Sequence, residues 1–492
     1  MRDEDSVNNS SNYGYKRRRN NGISRELLAI VIVIVVIAGA GGGYYYYVST
    51  KKTVQSVELY TWWATTGKIA GEHLFPVFQQ KYPYYRVTTM LTPGAGGTNA
   101  KFAILTLIES GKPPSVFQSN GGPILISYSE GDPQGIQGFV NFTPIVANMG
   151  LLDPSVAVPA VMEALSYGNT MLGVPVDVHR MDLYFNPQTL KKYDLPIPTT
   201  VAQLLYDSKV LYQHGIYWAI PGGDGGWDQM NVWESFLLAY GGPRMLDEMD
   251  YGVLSVNNAY AVNATNSFLE VDQYDYPGAQ AMSWTEILPD LVSGTTSFQV
   301  NGNWLTNYAY DFMNTTVYPA EAPYTSWSNV TLMEEPFPGT ANYYSLVIDS
   351  IAVPTGSTQK AGLTLSEFWS SYQGQQVWTK WKAVTFYENA TDWYNTPAQW
   401  ADYKALLSTP EQDFVEWGGN GLFADAQSTY YTALTTLSET GSVTAFNALM
   451  SQAFSQQYAD WHAASTVLHL SYLGLPGHPF GNYYPPWANT SS

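Results

Sequence analysis

Residues 54–120 alternate between two hydrophobic periods, and that alternation limits the fold more than any other feature of the chain. SVELYTWW reads as a strand running into a loop. A helix follows over roughly Lys68 to Lys81, with apolar positions at Ile69, Leu74, Phe75 and Phe78, and it stops at Tyr82-Pro83. Residues 85–91 read as a second strand, PGAGGTN as a loop, Ala100 to Ser110 as a helix ending at Gly111, and SVFQS as a third strand. Strand–helix–strand–helix–strand implies an α/β layer with a parallel sheet. The pattern continues with strand-like Gly173 to Phe185, a helix over Thr200 to Tyr212 capped by Thr199 or Thr200, and a helix over 228–240. FQVNGNWL runs from strand to helix, SLVIDSIAVP is strand-like, and the last hundred residues are mostly helical. No internal repeat and no long linker interrupts this part.

Composition narrows the function. The chain has 492 residues, of which 45% are hydrophobic and 15% aromatic, so it can build real cores. Only 13% are Asp, Glu, Lys or Arg, against about 25% in ordinary soluble domains. Carboxylates outnumber Lys and Arg by 41 to 22, for a net charge of −19. A nucleic-acid partner is excluded on that balance, because replacing counterions needs a basic surface. There is no cysteine, hence no disulfide, thiolate metal site or cysteine nucleophile. Six scattered histidines without an HExxH pair argue against a zinc hydrolase.

The first fifty residues concern location. Residues 1–22 are polar and hold the basic run Lys16 to Arg19; Leu27 to Val48 are 22 residues without a charge, enough to cross a bilayer as a helix. The basic cluster on the N-terminal side places that end in the cytoplasm and the remainder outside, with Tyr44 to Tyr47 at the far interface. NNG-ISRELLAIVIV resembles the pilin-like signal peptides of archaeal surface proteins. The resemblance implies cleavage after Gly22, with 23–53 kept as transmembrane anchor and stalk. Without the leader the chain carries 17 Lys and Arg against 38 carboxylates, net −21. Sequons at Asn141, Asn263, Asn314, Asn329, Asn389 and Asn489 fit an exported glycoprotein. In acid the positive charge cannot exceed +23 even with all six histidines protonated, so self-repulsion stays modest and an acid-tolerant fold is expected.

Chemistry-bearing residues gather at strand ends. Trp62 and Trp63 follow the first strand, where ligands of open α/β sheets bind; one ring facing the core and one facing a ligand is the natural arrangement. Gln118 and Asn120 end the third strand; their amides both donate and accept, as neutral hydroxyl ligands require, and Asn120-Gly121-Gly122 is equally a good turn. PGAGGTNAK is neither a P-loop nor GxGxxG. GGDGGWDQ places Trp227, Asp228 and Gln229 beside a flexible loop, and Asp224 with Asp228 lacks the EF-hand spacing. No GxSxG elbow occurs, so no nucleophilic serine is indicated.

Together, LYTWWATTGK, FPVFQQKYP, GGTNAKFAILTLIESGKPPSVFQ, GVPVDVHRMDLYFNPQTLKKYDLPIPTT, AMSWTEILPDLVSGTTSFQVNGNW and PGTANYYSLVIDSIAVP resemble the extracellular sugar-binding proteins of ABC transporters, glucose branch. The resemblance spans most of residues 54–390 and implies a two-lobed, type II periplasmic-binding-protein-like α/β fold with interleaved lobes and a hinge. Lobe 1 would comprise 54–177 and 345–390, and lobe 2 178–344 and 391–492, with crossovers near Asp177 to Phe185 and Asn342 to Leu346. The sugar-binding positions it implies are Trp62, Trp63, Lys68, Gln118, Asn120, Trp227, Gln229, Asn303, Trp304 and Asp349. Lys68 stands where the family has an acid, Asn120 where it has His, and Asn303 where it has Asp, which leaves the particular sugar open. His179 also matches, as a hinge or ligand residue. The implied partners are a monosaccharide, glucose first and a pentose such as arabinose or xylose second, an ABC permease with its ATPase, and the membrane; no cofactor is implied, and the protein is expected to be a monomer and not an enzyme. Two other classes compete. One is a surface glycoside hydrolase with Asp228 and Asp349 as acid and base, and the other a pilin-like or surface-layer component.

Overall fold

A computed structural model describes residues 54–167, 170–320 and 329–467, and residues 25, 29–30 and 32–40 of the N-terminal segment. Residues 1–54 and 55–492 form separate units. In the first, residues 32–40 are helical and Ile32 to Ile37 are exposed. No helix among the described residues is long and apolar enough to cross a membrane. The leader 1–22, and most of the anchor and stalk 23–53, lie outside the described residues.

The second unit begins as the alternation predicts: β1 (Gln55–Thr61), α1 (Thr66–Lys81), β2 (Tyr85–Leu91), α2 (Thr98–Glu109) and β3 (Val116–Asn120). Ala70, Leu74 and Phe78 share one buried stripe of α1 at four-residue spacing. β4 (Val174–Phe185), α3 (Val201–Gln213), α4 (Trp227–Gly241), α5 (Trp284–Ser293), β5 (Phe298–Gly302) and α6 (Trp304–Met313) follow. Thr200 caps α3 by accepting from Gln203 N–H at 3.2 Å. β6 (Tyr318–Pro319), β7 (Met333–Pro336), β8 (Tyr344–Ala352), α7 (Gln359–Ser370), α8 (Tyr372–Trp378), α9 (Pro397–Ser408), β9 (Phe414–Glu416), α10 (Ala424–Thr440) and α11 (Val443–Val467) complete the described elements that matter here.

The sheet is mixed. Its order is β2-β1-β3-β8-β4-β7-β6, with β9 paired to β8 and β5 to β4. β1 is parallel to β2 and β3, as expected. β8 then enters antiparallel between β3 and β4, a non-local pairing that local periodicity cannot reveal. The register of β8 with β4 shifts between Asp349 and Ser350, so Asp349 lies opposite both Asn120 and Asp177 at an irregularity of the sheet.

Two hydrophobic clusters flank β4. Val174, Val176 and Val178 point into the first; Met181, Leu183 and Phe185 point into the second. The alternation changes phase between Val178 and Met181, so one strand serves two cores. The C-terminal part supplies both clusters: Trp393, Tyr403 and Phe414 join the first, and Trp417, Tyr430 and Leu434 the second. Trp369 and Trp378 are fully buried, and truncating either to Ala would cost about 3–5 kcal/mol. The five described sequon asparagines are exposed.

The scarce charges are unevenly placed, and many carboxyls are inside. Burial pushes Glu335 up to about 9, and Glu234, Glu416 and Asp275 up to about 8. Such groups are protonated in the fold and ionised in the unfolded chain between about pH 4 and 8, so the folded state holds more protons and loses stability as pH rises through that window. Asp349 has the opposite sign: its contribution is present above about pH 4 and lost below it. We therefore expect a higher melting temperature at pH 5 than at pH 8, by at least a few degrees, in circular-dichroism melts of the second unit. A melting temperature that rises with pH over that range contradicts the protonated state of these acids.

Candidate functional site

Between the two clusters lies a cavity of about 300 Å³. One wall comes from the turn after β1 (Trp62 to Thr66), the loop Pro93 to Gly97 and Asn120 at the end of β3; the other from Asp224, Trp227, Ser283 to Thr285 and Trp304; Val347, Asp349 and Lys382 lie between. Trp227, Trp284 and Trp304 are each the first residue of a helix, α4, α5 and α6. Three helices therefore begin at this cavity, each presenting an indole.

Asp349 organises the floor. Its Oδ1 accepts from Gln118 Nε2 at 3.3 Å and from Asn120 Nδ2 at 3.2 Å. Its Oδ2 accepts from Trp63 Nε1 at 3.1 Å and from Lys382 Nζ at 2.7 Å. Burial alone would raise its pKa, but the Lys382 ammonium holds it well below the usual carboxylate range. Lys382 Nζ also donates to Asp177 Oδ2 at 3.3 Å and to His179 Nε2 at 2.6 Å. Asp177, His179 and Asp349 converge closely enough to hold a metal ion, and the Lys382 ammonium occupies the place a cation would take. A second trio, Asp182, Glu334 and Asp402, faces Arg180, whose guanidinium lies 2.8 Å from Asp182 Oδ1 and 3.0 Å from Asp402 Oδ1.

The network crosses from one cluster to the other. Asn303 Nδ2 donates to Asp402 Oδ2 at 3.0 Å, which turns its carbonyl toward His179, and His179 Nδ1–H donates to that carbonyl. Trp304 packs its ring edge-on to His179, with centroids 4.8 Å apart. Hydrogen bonds thus connect Asp349 on one side to the start of α6 on the other.

Of the residues expected from sequence, Trp62, Trp63, Asn120, Trp227, Trp304 and Asp349 line the cavity. Trp63 is clamped between Trp369 and Trp378, with centroids at 5.5 and 4.9 Å. Trp227 and Trp304 lie side by side at 5.5 Å. Asn120 Oδ1 is buried without a hydrogen-bond partner. The other four stand elsewhere. Gln118 is fully buried behind the wall, accepting from Trp62 N–H at 3.1 Å, and so holds the tryptophan turn. Asn303 is buried in the relay to Asp402. Gln229 is buried beside Gln280, 3.4 Å from Nε2 to Oε1. Lys68 is on the exposed face of α1, 4.0 Å from Glu72, because the third residue of the helix, two positions from both Thr66 and Ala70, points away from the face those buried residues share. Sequence reading missed Lys382, Trp284, Ser283 and Asp224 as lining residues. Trp284 lies inside a quoted motif; nothing local distinguishes Lys382 in WTKWKAV.

The pair invoked for a hydrolase is not an acid–base pair here. Asp228 is buried and does not line the cavity, and both Asp349 oxygens are held by protein donors. Asp349→Ala leaves Lys382 short of its nearest anion, so we expect a destabilisation of about 3–5 kcal/mol at pH 7 in denaturant unfolding. A loss below about 1 kcal/mol would mean that the pair does not organise the floor.

The sequence model of the bacterial extracellular solute-binding protein family matches residues 64–376. The glucose-binding protein GlcS of Saccharolobus solfataricus is 48% identical over 447 residues, 89% of this chain and 80% of that protein. Among solved structures, a chitin oligosaccharide binding protein superimposes with a TM-score of 0.67 at 14% identity, covering 82% of this chain and 99% of its own. Maltose-bound MalE3 of T. maritima gives 0.60 at 14% identity, covering 82% and 98%. These likenesses show the mixed α/β solute-binding fold. By its match over most of the second unit and its high identity to a relative along 89% of its length, the chain belongs to the extracellular solute-binding protein family, whose members are binding proteins and not enzymes.

Proposed function

We propose that this protein is an extracellular receptor that encloses one monosaccharide, D-glucose first, and delivers it to an ABC permease whose ATPase supplies the work. The observation that carries the reading is the cavity itself: five tryptophans, Trp62, Trp63, Trp227, Trp284 and Trp304, surround about 300 Å³. That volume lies at the small end of ligand pockets. It matches one sugar ring with bridging water better than a long oligosaccharide. Indole faces suit the CH faces of a pyranose, and the unpartnered Asn120 Oδ1 supplies an acceptor for a hydroxyl. Asp224, Ser283 and Thr65 add polar groups around it. Asp349, on the floor of the cavity, orients Trp63 and Asn120. The relative named for glucose supports glucose over a pentose.

In this reading the two hydrophobic clusters are the cores of two lobes in a type II arrangement, β4 and the start of β8 are crossovers, and sugar bridging both walls favours closure. The apolar stretch Leu27 to Val48 tethers the receptor to the membrane after loss of the leader, and the exposed sequons carry glycans. The protein works as a monomer, since the described residues of one chain line the tryptophan cavity by themselves. Tryptophan fluorescence titrated with glucose, galactose, mannose, arabinose and xylose tests the assignment. Saturable binding with glucose tightest is expected, and Trp304→Ala should raise its Kd about tenfold. Tightest binding to xylose or arabinose would move the assignment to a pentose, and steady sugar release from an oligosaccharide would reject the receptor.

A further inference from the structure

The loop between β2 and α2 is wedged between tryptophans from the two walls. A Cβ placed on Gly96, at φ +57°, would stand 2.3 Å from Cδ1 and 2.6 Å from Cγ of Trp227. A Cβ on Gly97, at φ +92°, would stand 2.7 Å from the Trp62 ring. The loop backbone therefore touches both indoles, and Trp227 belongs to the second cluster while Trp62 packs against the first. No side chain larger than hydrogen fits at Gly96 while the walls hold this spacing, since the obstruction is a buried ring and not the end of a flexible chain.

We propose that Gly96 is a positioning residue for closure: its bare backbone is the surface on which Trp227 of the opposite wall comes to rest, so the contact sets how far the walls approach and how well the sugar is retained. The inference rests on the receptor reading above and deepens it. Gly96 need make no hydrogen bond to the sugar. It acts by permitting Trp227 to reach its place beside Trp304. A methyl at this position props the walls apart and so removes contacts that exist only in the closed form, which speeds dissociation more than it slows association.

The test compares two alanine variants. Gly96→Ala meets Trp227; Gly111→Ala, at φ +69° with nothing within 4 Å of its Cβ, carries the same left-handed backbone cost away from the cavity. Stopped-flow tryptophan fluorescence with D-glucose gives Kd and dissociation rate, and small-angle scattering with and without saturating D-glucose reports compaction. For Gly96→Ala the expected result is a Kd raised by about tenfold or more, a faster dissociation rate and little compaction. For Gly111→Ala it is wild-type affinity and full compaction. In a Trp227→Ala background the Gly96→Ala loss should shrink to less than about threefold, because the obstruction is gone. Equal affinity of Gly96→Ala and Gly111→Ala, or an undiminished loss in the Trp227→Ala background, overturns the proposal while leaving the receptor reading intact. A wild-type protein that neither binds nor compacts with any sugar of the panel overturns the receptor reading itself.

Discussion

The rest of the site depends on one buried ion pair, Asp349 with Lys382, 2.7 Å apart at the irregular step between β8 and β4. Neither charge is affordable alone in a medium of low polarity. Asp349 therefore collects donors from Trp63, Gln118 and Asn120, and Lys382 collects Asp177 and His179. Those partners come from three separate parts of the chain: Trp63 follows β1, Gln118 and Asn120 lie on β3, and Asp177 and His179 lie on β4. Satisfying two charges consequently draws β1, β3, β4, β8 and the segment after α8 to one place, and the indole and amide that face the cavity are oriented as a result.

From this pair a line of polar contacts leads through His179 and Asn303 to Asp402 and Arg180. It follows the part of β4 that changes its inward face from one cluster to the other. Buried polar groups are expensive unless every partner is present, so this stretch tolerates few alternative arrangements. Rigid positioning of Trp304, the first residue of α6, follows from the same bonds. The cavity is thus bounded by side chains that are themselves held, which reduces the ordering cost of binding.

The acidic balance of the composition has a physical counterpart in the fold. Glu234, Glu335, Glu416 and Asp275 are buried with their acidity weakened by lost hydration. Asp182 and Asp402 share the Arg180 guanidinium, with Glu334 beside them accepting from Thr306, and the pKa values of all three are raised mainly by burial. These acids are compatible with the interior when they carry a proton. The excess of carboxylates is therefore partly an interior feature and not only a surface one, which net charge by itself conceals.

The amino-acid pattern alone determined the α/β alternation through residue 120, the strand over 174–185, the helix starts near 227 and 304, and the tryptophans at those starts. Each is a local property, written in periodicity, capping residues and the position of a side chain relative to a strand or helix end. Only the tertiary structure decided which of the candidate residues face the cavity. Gln118 and Asn120 are two residues apart on one strand, yet one is behind the wall and the other lines it. Lys68 shares a motif with Trp62 and Trp63 but falls on the exposed side of α1. Lys382 carries no local mark, because a buried lysine becomes a site residue only when distant carboxylates meet around it. The reason is the same throughout: periodicity is set by neighbours a few residues away, whereas burial and pairing of charge are set by strands hundreds of residues apart, such as β1 and β8 brought together through β3.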